Sequence, residues 1–434
     1  MGTRRPAVGT VSLVKRGVAM TSTNPEPPAP RPRPGWRTTF SSLSVPAYRQ
    51  WFLSQVLSAS GTMTQIVALS WLVLQLTHSG VALGLLTTAT LAPLLLGGPW
   101  AGALVDRVDR RRLLLVTQSL YVGLSALLAI VTATGAVRVW MVFAIAFASG
   151  VVGAPDTAAR QVYVNDLVGR DRLTSAVSLN EVVINASRVV GPALGGLLLA
   201  TAGVSACCWA NAASFVPSLV VLILHRHAAV PRRLAHPEGR DARFLVGWRY
   251  AWRHPTIRVT LLLAAASGML FNMNVSLPLV ATRVFHLGGG GYGLMMSTFG
   301  VGGILGGLLA AAGRAAPSRR TVLFLAVASA MAVLATASAR NAVEFFAGLA
   351  LTGCLSIWFI ARANTLVQFE TEPGLRGRVL AVWSMALPGM MPLTSPLVGW
   401  VGGTAGPREG FGLSGAAMLL IAGAALMRRR ATSS

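Results

Sequence analysis

The sequence has few charged residues: they make up 12% of its 434 residues, whereas apolar residues make up 53%. Soluble domains carry about a quarter charged residues, so a set of soluble domains is excluded. The only lysine is Lys15 and no Gly-Lys-Ser/Thr phosphate loop occurs, which argues against ATP hydrolysis. The three cysteines, Cys207, Cys208 and Cys354, lie in apolar runs and give neither a metal-binding spacing nor a disulfide framework. The composition predicts a polytopic membrane protein without a metal or a cofactor.

Acidic residues are scarcer than basic ones, with 13 Asp+Glu against 37 Lys+Arg and a net charge of +24. Such a charge can signal nucleic-acid binding, but its distribution argues otherwise. The basic residues fall in the tails, in every second loop and at the adjoining ends of apolar runs. The exceptions are Arg138, Arg283, Arg340 and Arg408 in the opposite loops and Arg188 within a run. This asymmetry follows the positive-inside rule. It predicts an inner-membrane protein with both termini cytoplasmic, a basic surface toward the lipid bilayer and no nucleic-acid partner.

Twelve apolar runs are long enough to cross a bilayer. We place the spans at 48–76, 81–105, 113–135, 138–158, 174–200, 203–224, 256–283, 292–313, 321–339, 342–363, 379–402 and 411–427. Residues 1–45 are rich in Pro, Arg, Ser and Thr, which predicts a disordered cytoplasmic tail. Residues 46–225 then form one bundle, 226–255 a solvated cytoplasmic linker, and 256–434 a second bundle with a short basic tail.

The chain also repeats itself about half its length apart. Pro192-Ala193-Leu194-Gly195 in span five recurs as Pro396-Leu397-Val398-Gly399 in span eleven. Parallel repeats of this kind are typical of transporters built from two six-helix halves. The repeat therefore predicts an all-α integral membrane fold with two pseudo-symmetric six-helix bundles.

A dense run of charge separates spans two and three. From Gly102 the sequence reads Gly-x-Leu-x-Asp-Arg-x-x-Arg-Arg. This order, in this place, resembles the signature loop of the major facilitator superfamily. Three further stretches, Gly61 to Gln65, Arg160 to Val164 and Asn364 to Gln368, resemble its enterobactin-exporter and macrolide-efflux branch. The resemblance implies export of a small organic molecule, usually driven by protons, and we expect a monomer.

The resemblance implies that this charged loop is a conformational latch. In the superfamily the acid faces the start of span eleven, near Val379 to Trp383 here. The resemblance also implies that Arg110 reaches an acid at the cytoplasmic end of span four, and Asp156 fits that acid. The latch would hold the outward-open state; alternatively, the cluster only fixes orientation in the membrane. The predicted latch residues are Gly102, Asp106, Arg107, Arg110, Arg111, Asp156 and Arg160.

Glu181 is the one acid placed well inside a span. A charge at mid-bilayer costs roughly 2.5–3.5 kcal/mol on insertion scales, so such a residue is usually paired, protonated or facing water. Asn185 and Arg188 follow on the same helical face. The pattern favours proton coupling by Glu181 and Arg188, and Arg188 also matches the resembled branch. A structural polar stripe packed between helices is the alternative.

Two glycine patterns lead to opposite interpretations. The antiporter motif of span five is resembled by Gly191, Pro192 and Gly195. The resemblance implies a stiff, kinked helix that seals the interface between the halves. The alternative is the general enrichment of glycine and proline in membrane helices. Gly288-x-Gly290-x-x-Gly293 fits a dinucleotide-binding pattern, but no strand is predicted before it. We interpret the second pattern as a flexible turn.

A substrate cavity is expected between the halves near the midplane. In the resembled family spans one, four, seven and ten line it. The polar and aromatic candidates on these spans are Thr62, Gln65, Phe147, Phe271, Asn272, Asn274, Ser356 and Trp358. Each alone is also typical of helix packing. A mostly apolar wall with few polar groups fits a bulky amphipathic ligand.

These features predict a secondary active transporter, not an enzyme. The small-molecule substrate would be a hydrophobic or amphipathic drug, siderophore or secondary metabolite, exported by proton antiport with alternating access. The alternative is a proton-coupled importer of a small nutrient, which would favour more charged and amide groups at the midplane. A membrane scaffold or receptor is a further alternative, and such a protein would be expected to contain a large extramembrane domain.

Overall fold

The computed structural model describes residues 2, 40–169, 171–225, 240–313 and 317–433, and every regular element in this part of the chain is helical. A helix lies at each of the twelve predicted spans, so the predicted all-α fold is confirmed. Most of the predicted tail, residues 3–39, and residues 226–239 of the predicted linker lie outside the described residues. The last residues of that tail form a short 3-10 helix, Ser41–Ser44.

The helices of the N-terminal half are α1 (Pro46–Thr77), α2 (Gly80–Leu96), α3 (Gly98–Arg107), α4 (Arg110–Ala133), α5 (Val139–Val168), α6 (Leu173–Thr201) and α7 (Gly203–Leu224). The remaining helices are α8 (Arg240–Arg253), α9 (Pro255–Leu270), α10 (Met273–Arg283), α11 (Gly289–Ala312), α12 (Arg319–Ala337), α13 (Ala342–Glu370), α14 (Arg376–Thr404) and α15 (Pro407–Ser433). Ten spans in the described residues are long and apolar enough to cross a membrane, or up to eleven if α2 and α3 count as one.

Two predicted spans are each divided into two helices. The second span bends by 55° between α2 and α3, after Pro93 has removed one backbone donor from α2. The seventh breaks between α9 and α10 at Phe271 and Asn272. The Asn272 side chain bonds to Thr394 and Ser395 of α14, which ties the break to a neighbouring helix.

The predicted linker contains a helix that the sequence reasoning missed. Helix α8 packs on α14 and α9, with Ala251 buried in a cluster that includes Val379 and Val382. Its described part is therefore folded onto the C-terminal half, and the prediction of a solvated linker is wrong there. The high arginine content of 226–255 concealed the small, buried residues on one face of this helix.

The two halves pack together at one end of the bundle and separate at the other. We call the end near the loops after α3, α5 and α7 the basic end. Near it, the cluster around Trp51 at the start of α1 contains residues of the N-terminal half only. Toward the opposite end, Val67 of α1 packs with Met295 of α11, and Leu83 of α2 packs with Val398 of α14. Among the described residues, these buried apolar clusters thus join the halves away from the basic end.

Candidate functional site

The first contact between the halves is the seam of α2 and α14. A Cβ on Gly80 would lie 2.2 Å from the Gly399 carbonyl oxygen, so the two backbones touch. Two turns along, the Thr88 hydroxyl donates to the Pro392 carbonyl at 2.7 Å. Because glycine has no side chain, both helices approach closely enough for dispersion contacts and for this hydrogen bond from a side chain to the backbone.

The second contact is the seam of α6 and α11, built in the same way. A Cβ on Gly293 would lie 2.4 Å from the Gly196 Cα atom. The Ser297 hydroxyl donates to the Val189 carbonyl at 3.1 Å. Both seams lie in the half of the bundle away from the basic end. Together they close the space between the halves on that side.

The second glycine pattern is part of this seam and is not a flexible turn. Gly290 and Gly293 lie in the first turns of α11, where both contact Gly196. Small residues at a helix interface let the two backbones approach closely. The interpretation as a turn was wrong because the apolar run was taken to start only at Tyr292.

Closing the first seam requires glycine at position 399. In the Gly399→Ala variant the new Cβ would lie 2.0 Å from the Gly80 oxygen. Overpacking of this kind costs roughly 1–3 kcal/mol, which shifts a two-state equilibrium by about 5–150-fold. We expect transport to fall by about that factor in a vesicle efflux assay. Gly389→Ala on the same helix is the matched control, because no atom lies within 4 Å of its Cβ position. Equal activity of the two variants would contradict a tight seam.

Asp106 of the predicted latch lies at the basic end, at the end of α3. Helix α3, which carries Asp106, packs on α5 and α2 of its own half. The Asp106 side chain is exposed, and Gly102 is half-buried. In the part of the chain that the structure describes, the basic end is therefore open.

Arg110 has a different partner from the predicted one. It forms an ion pair of 2.7 Å with Asp166, not with Asp156. The prediction was wrong because α5 continues to Val168, ten residues beyond the predicted end of span four. Asp166 thus lies on the helix within reach of Arg110. Arg111 donates to the Leu222 carbonyl of α7 at 2.5 Å.

Asp156 is the centre of a buried polar network. It pairs with Arg160 at 2.5 Å and accepts from the Thr117 hydroxyl at 2.7 Å and from Gln118 at 3.1 Å. Arg160 also donates to Gln55 of α1. The predicted neighbours Asp156 and Arg160 are thus together, and they link α1, α4 and α5. A buried carboxylate is tolerated here because its charge and its lone pairs are satisfied.

Helix α6 presents one face to α1 and another to α11. Toward α1, the Gly191 carbonyl accepts from Thr64, and Gly195 lies against Val67. Toward α11, Val189 and Gly196 form the second seam. Pro192 is buried within this continuous helix, so the predicted antiporter motif lies where α6 meets both neighbours.

The polar stripe of α6 lies between these two faces. At 100° per residue, Glu181, Asn185 and Arg188 point into the angle between α1 and α11. The side chains of Glu181 and Arg188 are exposed and lie two helical turns apart on this stripe. Asn185 donates to the Glu181 carbonyl at 2.8 Å. Because the α11 seam begins at Arg188, Glu181 faces the space that is open at the basic end.

Three of the predicted cavity residues are buried within a bundle. Gln65, 7% exposed, accepts from Asn211 at 2.6 Å, and Ser356 bonds to Ser329 at 2.7 Å. Asn272 bonds to α14 as described. In this conformation these side chains satisfy helix packing and do not line open space, which corrects the prediction. Amide and hydroxyl groups in a membrane bundle serve both purposes, so the residue type could not separate them.

The other predicted cavity residues are at least partly accessible. Phe147 is 54% exposed on α5. Phe271 packs edge-on against Phe299 at 6.0 Å, and Asn274 accepts from the Tyr292 hydroxyl at 3.4 Å. Thr62 and Trp358 are half-buried. Among the described residues, no hydrogen bond joins any of these side chains to Glu181.

Comparison with known proteins shows what the chain is similar to. The family model described as transmembrane secretion effector matches residues 37–433. The staphyloferrin A transporter of Staphylococcus aureus is 29% identical over 357 residues, 81% of this chain and 88% of that protein. The multidrug efflux pump Tap of Mycolicibacterium fortuitum is 29% identical over 382 residues, which are 84% of this chain and 91% of that protein. The enterobactin exporter EntS of Salmonella typhimurium is 26% identical over 401 residues, which are 89% of this chain and 93% of that protein.

Solved structures share the fold. A bacterial homologue of the human lysosomal transporter Spinster, inward-facing and unoccupied, superposes with a TM-score of 0.67 at 14% identity, covering 92% of this chain and 98% of that one. A bacterial homologue of the iron transporter ferroportin, also inward-facing, superposes with a TM-score of 0.64 at 17% identity, covering 88% of this chain and 98% of that one.

Proposed function

Because the chain belongs to the transmembrane secretion effector family of the major facilitator superfamily, we propose that it exports a small hydrophobic or amphipathic organic molecule by proton antiport. The chain is a membrane transporter with exporters of siderophores and drugs among its relatives. The substrate class carried over from those names is a siderophore, a drug or another secondary metabolite.

One observation supports alternating access most directly: the halves are sealed by two glycine seams at one end and are apart at the basic end. By the positive-inside rule the basic end is cytoplasmic. This conformation would receive substrate from the cytoplasm or the inner leaflet. Opening of the two seams, with closure at the basic end, would release substrate on the other side.

The polar stripe of α6 supports proton coupling. In the proposed cycle the Glu181 carboxylate takes up a proton when the seams are open and releases it to the cytoplasm when the basic end is open. Arg188 lies two helical turns after Glu181 on the same helix. Its positive charge would therefore act on the carboxylate in both states. Protonation removes a charge from the space between the halves, which changes the relative free energy of the two conformations.

Transport by preloaded proteoliposomes tests this function. Vesicles containing the protein and staphyloferrin A, enterobactin or ethidium are placed in acidic medium, and both substrate release and internal pH are recorded. Antiport predicts that release of at least one probe accelerates while the lumen acidifies. The alternative function, a proton-coupled importer, predicts that the same gradient retains or draws in substrate. A rate of substrate release that does not change with the pH gradient would contradict proton coupling.

A further inference from the structure

Helix α8 is held against the start of α14 by one narrow face. A Cβ on Gly247 would lie 2.6 Å from the Arg378 carbonyl oxygen, so the helix and the first turn of α14 are in backbone contact. One turn on, Ala251 is 1% exposed in the cluster with Val379 and Val382. Small residues at these positions fix α8 as an element of the C-terminal half.

The adjoining side of α8, about 100° around the helix, carries an exposed aromatic pair. The rings of Trp248 and Trp252 stack with centroids 5.3 Å apart, and the side chains remain 45% and 43% exposed. Contiguous exposed apolar surface of this kind marks a site of interaction with a membrane or a partner.

Arginines border this aromatic pair. Arg249 and Arg253 each follow one of the tryptophans, so they form a parallel row one residue around the helix, and both are exposed. Between this row, Pro255 and Leu375 lies a groove of about 750 Å³. The groove combines two guanidinium groups with an aromatic wall. Guanidinium groups bind phosphate oxygens in a bidentate manner.

We propose that α8 lies in the headgroup region of the inner leaflet and that this groove binds the headgroup of an anionic phospholipid. Helix α9 enters its membrane-spanning run at Pro255, only two residues after α8 ends, so α8 is at the membrane boundary. Tryptophans are favoured at that depth, and arginines there are attracted to anionic lipids. The positive charge disfavours a neutral occupant, and the position of α8 directly before the span that begins at Pro255 favours a phospholipid over an acidic protein surface.

Quenching of tryptophan fluorescence by brominated phosphatidylglycerol tests the site in the full-length protein in mixed micelles. Each arginine near an anionic surface contributes about 1 kcal/mol, so Arg249→Gln/Arg253→Gln should weaken the apparent affinity by about thirty-fold. Arg138→Gln/Arg340→Gln removes the same charge from the other side of the bundle and should change nothing. Brominated phosphatidylcholine, which has no net charge, should give the same weak quenching in all three proteins.

A second variant locates the lipid independently of charge. Trp248→Phe/Trp252→Phe should lose the phosphatidylglycerol-specific part of the quenching, whereas Trp140→Phe, exposed at the opposite end, should keep it. Equal affinity of the arginine variant and its control would overturn the proposal, and so would full quenching in the tryptophan variant. Displacement of the lipid by glycerol phosphate at equal concentration would instead assign the groove to a soluble phosphate. None of these readouts depends on transport.

Discussion

Replacing Glu181 with glutamine is expected to abolish transport driven by a pH gradient while leaving exchange of substrate without a gradient intact. Glutamine keeps the size and polarity of the side chain but cannot bind and release a proton. Because Glu181 faces the space that opens at the basic end, its loss should uncouple the substrate from the proton and should not unfold the helix. The measurement is substrate release and internal pH in the same vesicles, with and without an imposed gradient.

Glu409→Gln is the control for this experiment, because Glu409 is also exposed but lies at the opposite end of the bundle. That variant should remain coupled. Arg188→Ala should lose transport even with Glu181 present, since the variant removes the positive charge that acts on the carboxylate. Unchanged coupling in Glu181→Gln would return the residue to the alternative interpretation, a structural polar stripe.

The sequence was most informative where the membrane restricts the chain. An apolar run in a bilayer must be helical, so composition alone predicted a helix at each span. The half-chain repeat of Pro192 to Gly195 and Pro396 to Gly399 predicted equivalent positions, and the structure places both on seams between the halves. The signature loop at Gly102 predicted the superfamily, which the family match confirms.

The partners of individual polar side chains could not be predicted in the same way. Asp166 was placed in a loop because charge ended the apolar run, yet α5 continues past it and brings it to Arg110. Gln65 and Ser356 looked like ligand contacts because a polar group in a span is rare, and both instead bond within their own bundle. The hydrogen-bond partner of a polar side chain depends on which helices are neighbours in the fold, and the local sequence does not specify those neighbours.

The Asp106→Asn variant is expected to slow turnover by about ten-fold while the protein stays in the membrane and keeps its fold. Asp106 is exposed at the end of α3, and α14 begins across the gap with Arg376 and Arg378 and with the partial positive charge of a helix N-terminus. When the basic end closes, the carboxylate would meet this positive charge. A hydrogen bond to a charged group is worth roughly 1.5–3 kcal/mol, and 1.4 kcal/mol corresponds to a factor of ten.

Distances between spin labels at Val108→Cys and Gly377→Cys measure that closure directly, in a background in which Cys207, Cys208 and Cys354 are replaced. Both labelled positions are exposed, and nothing lies within 4 Å of the Cβ position of Gly377. Asp106→Asn should deplete the short-distance population, because only the closed basic end would use the carboxylate. Asp109→Asn removes the same charge three residues later but preserves the helix cap that Asp109 forms with Arg112, so it should leave the distribution unchanged. If both variants close equally well, the charged loop only fixes orientation in the membrane.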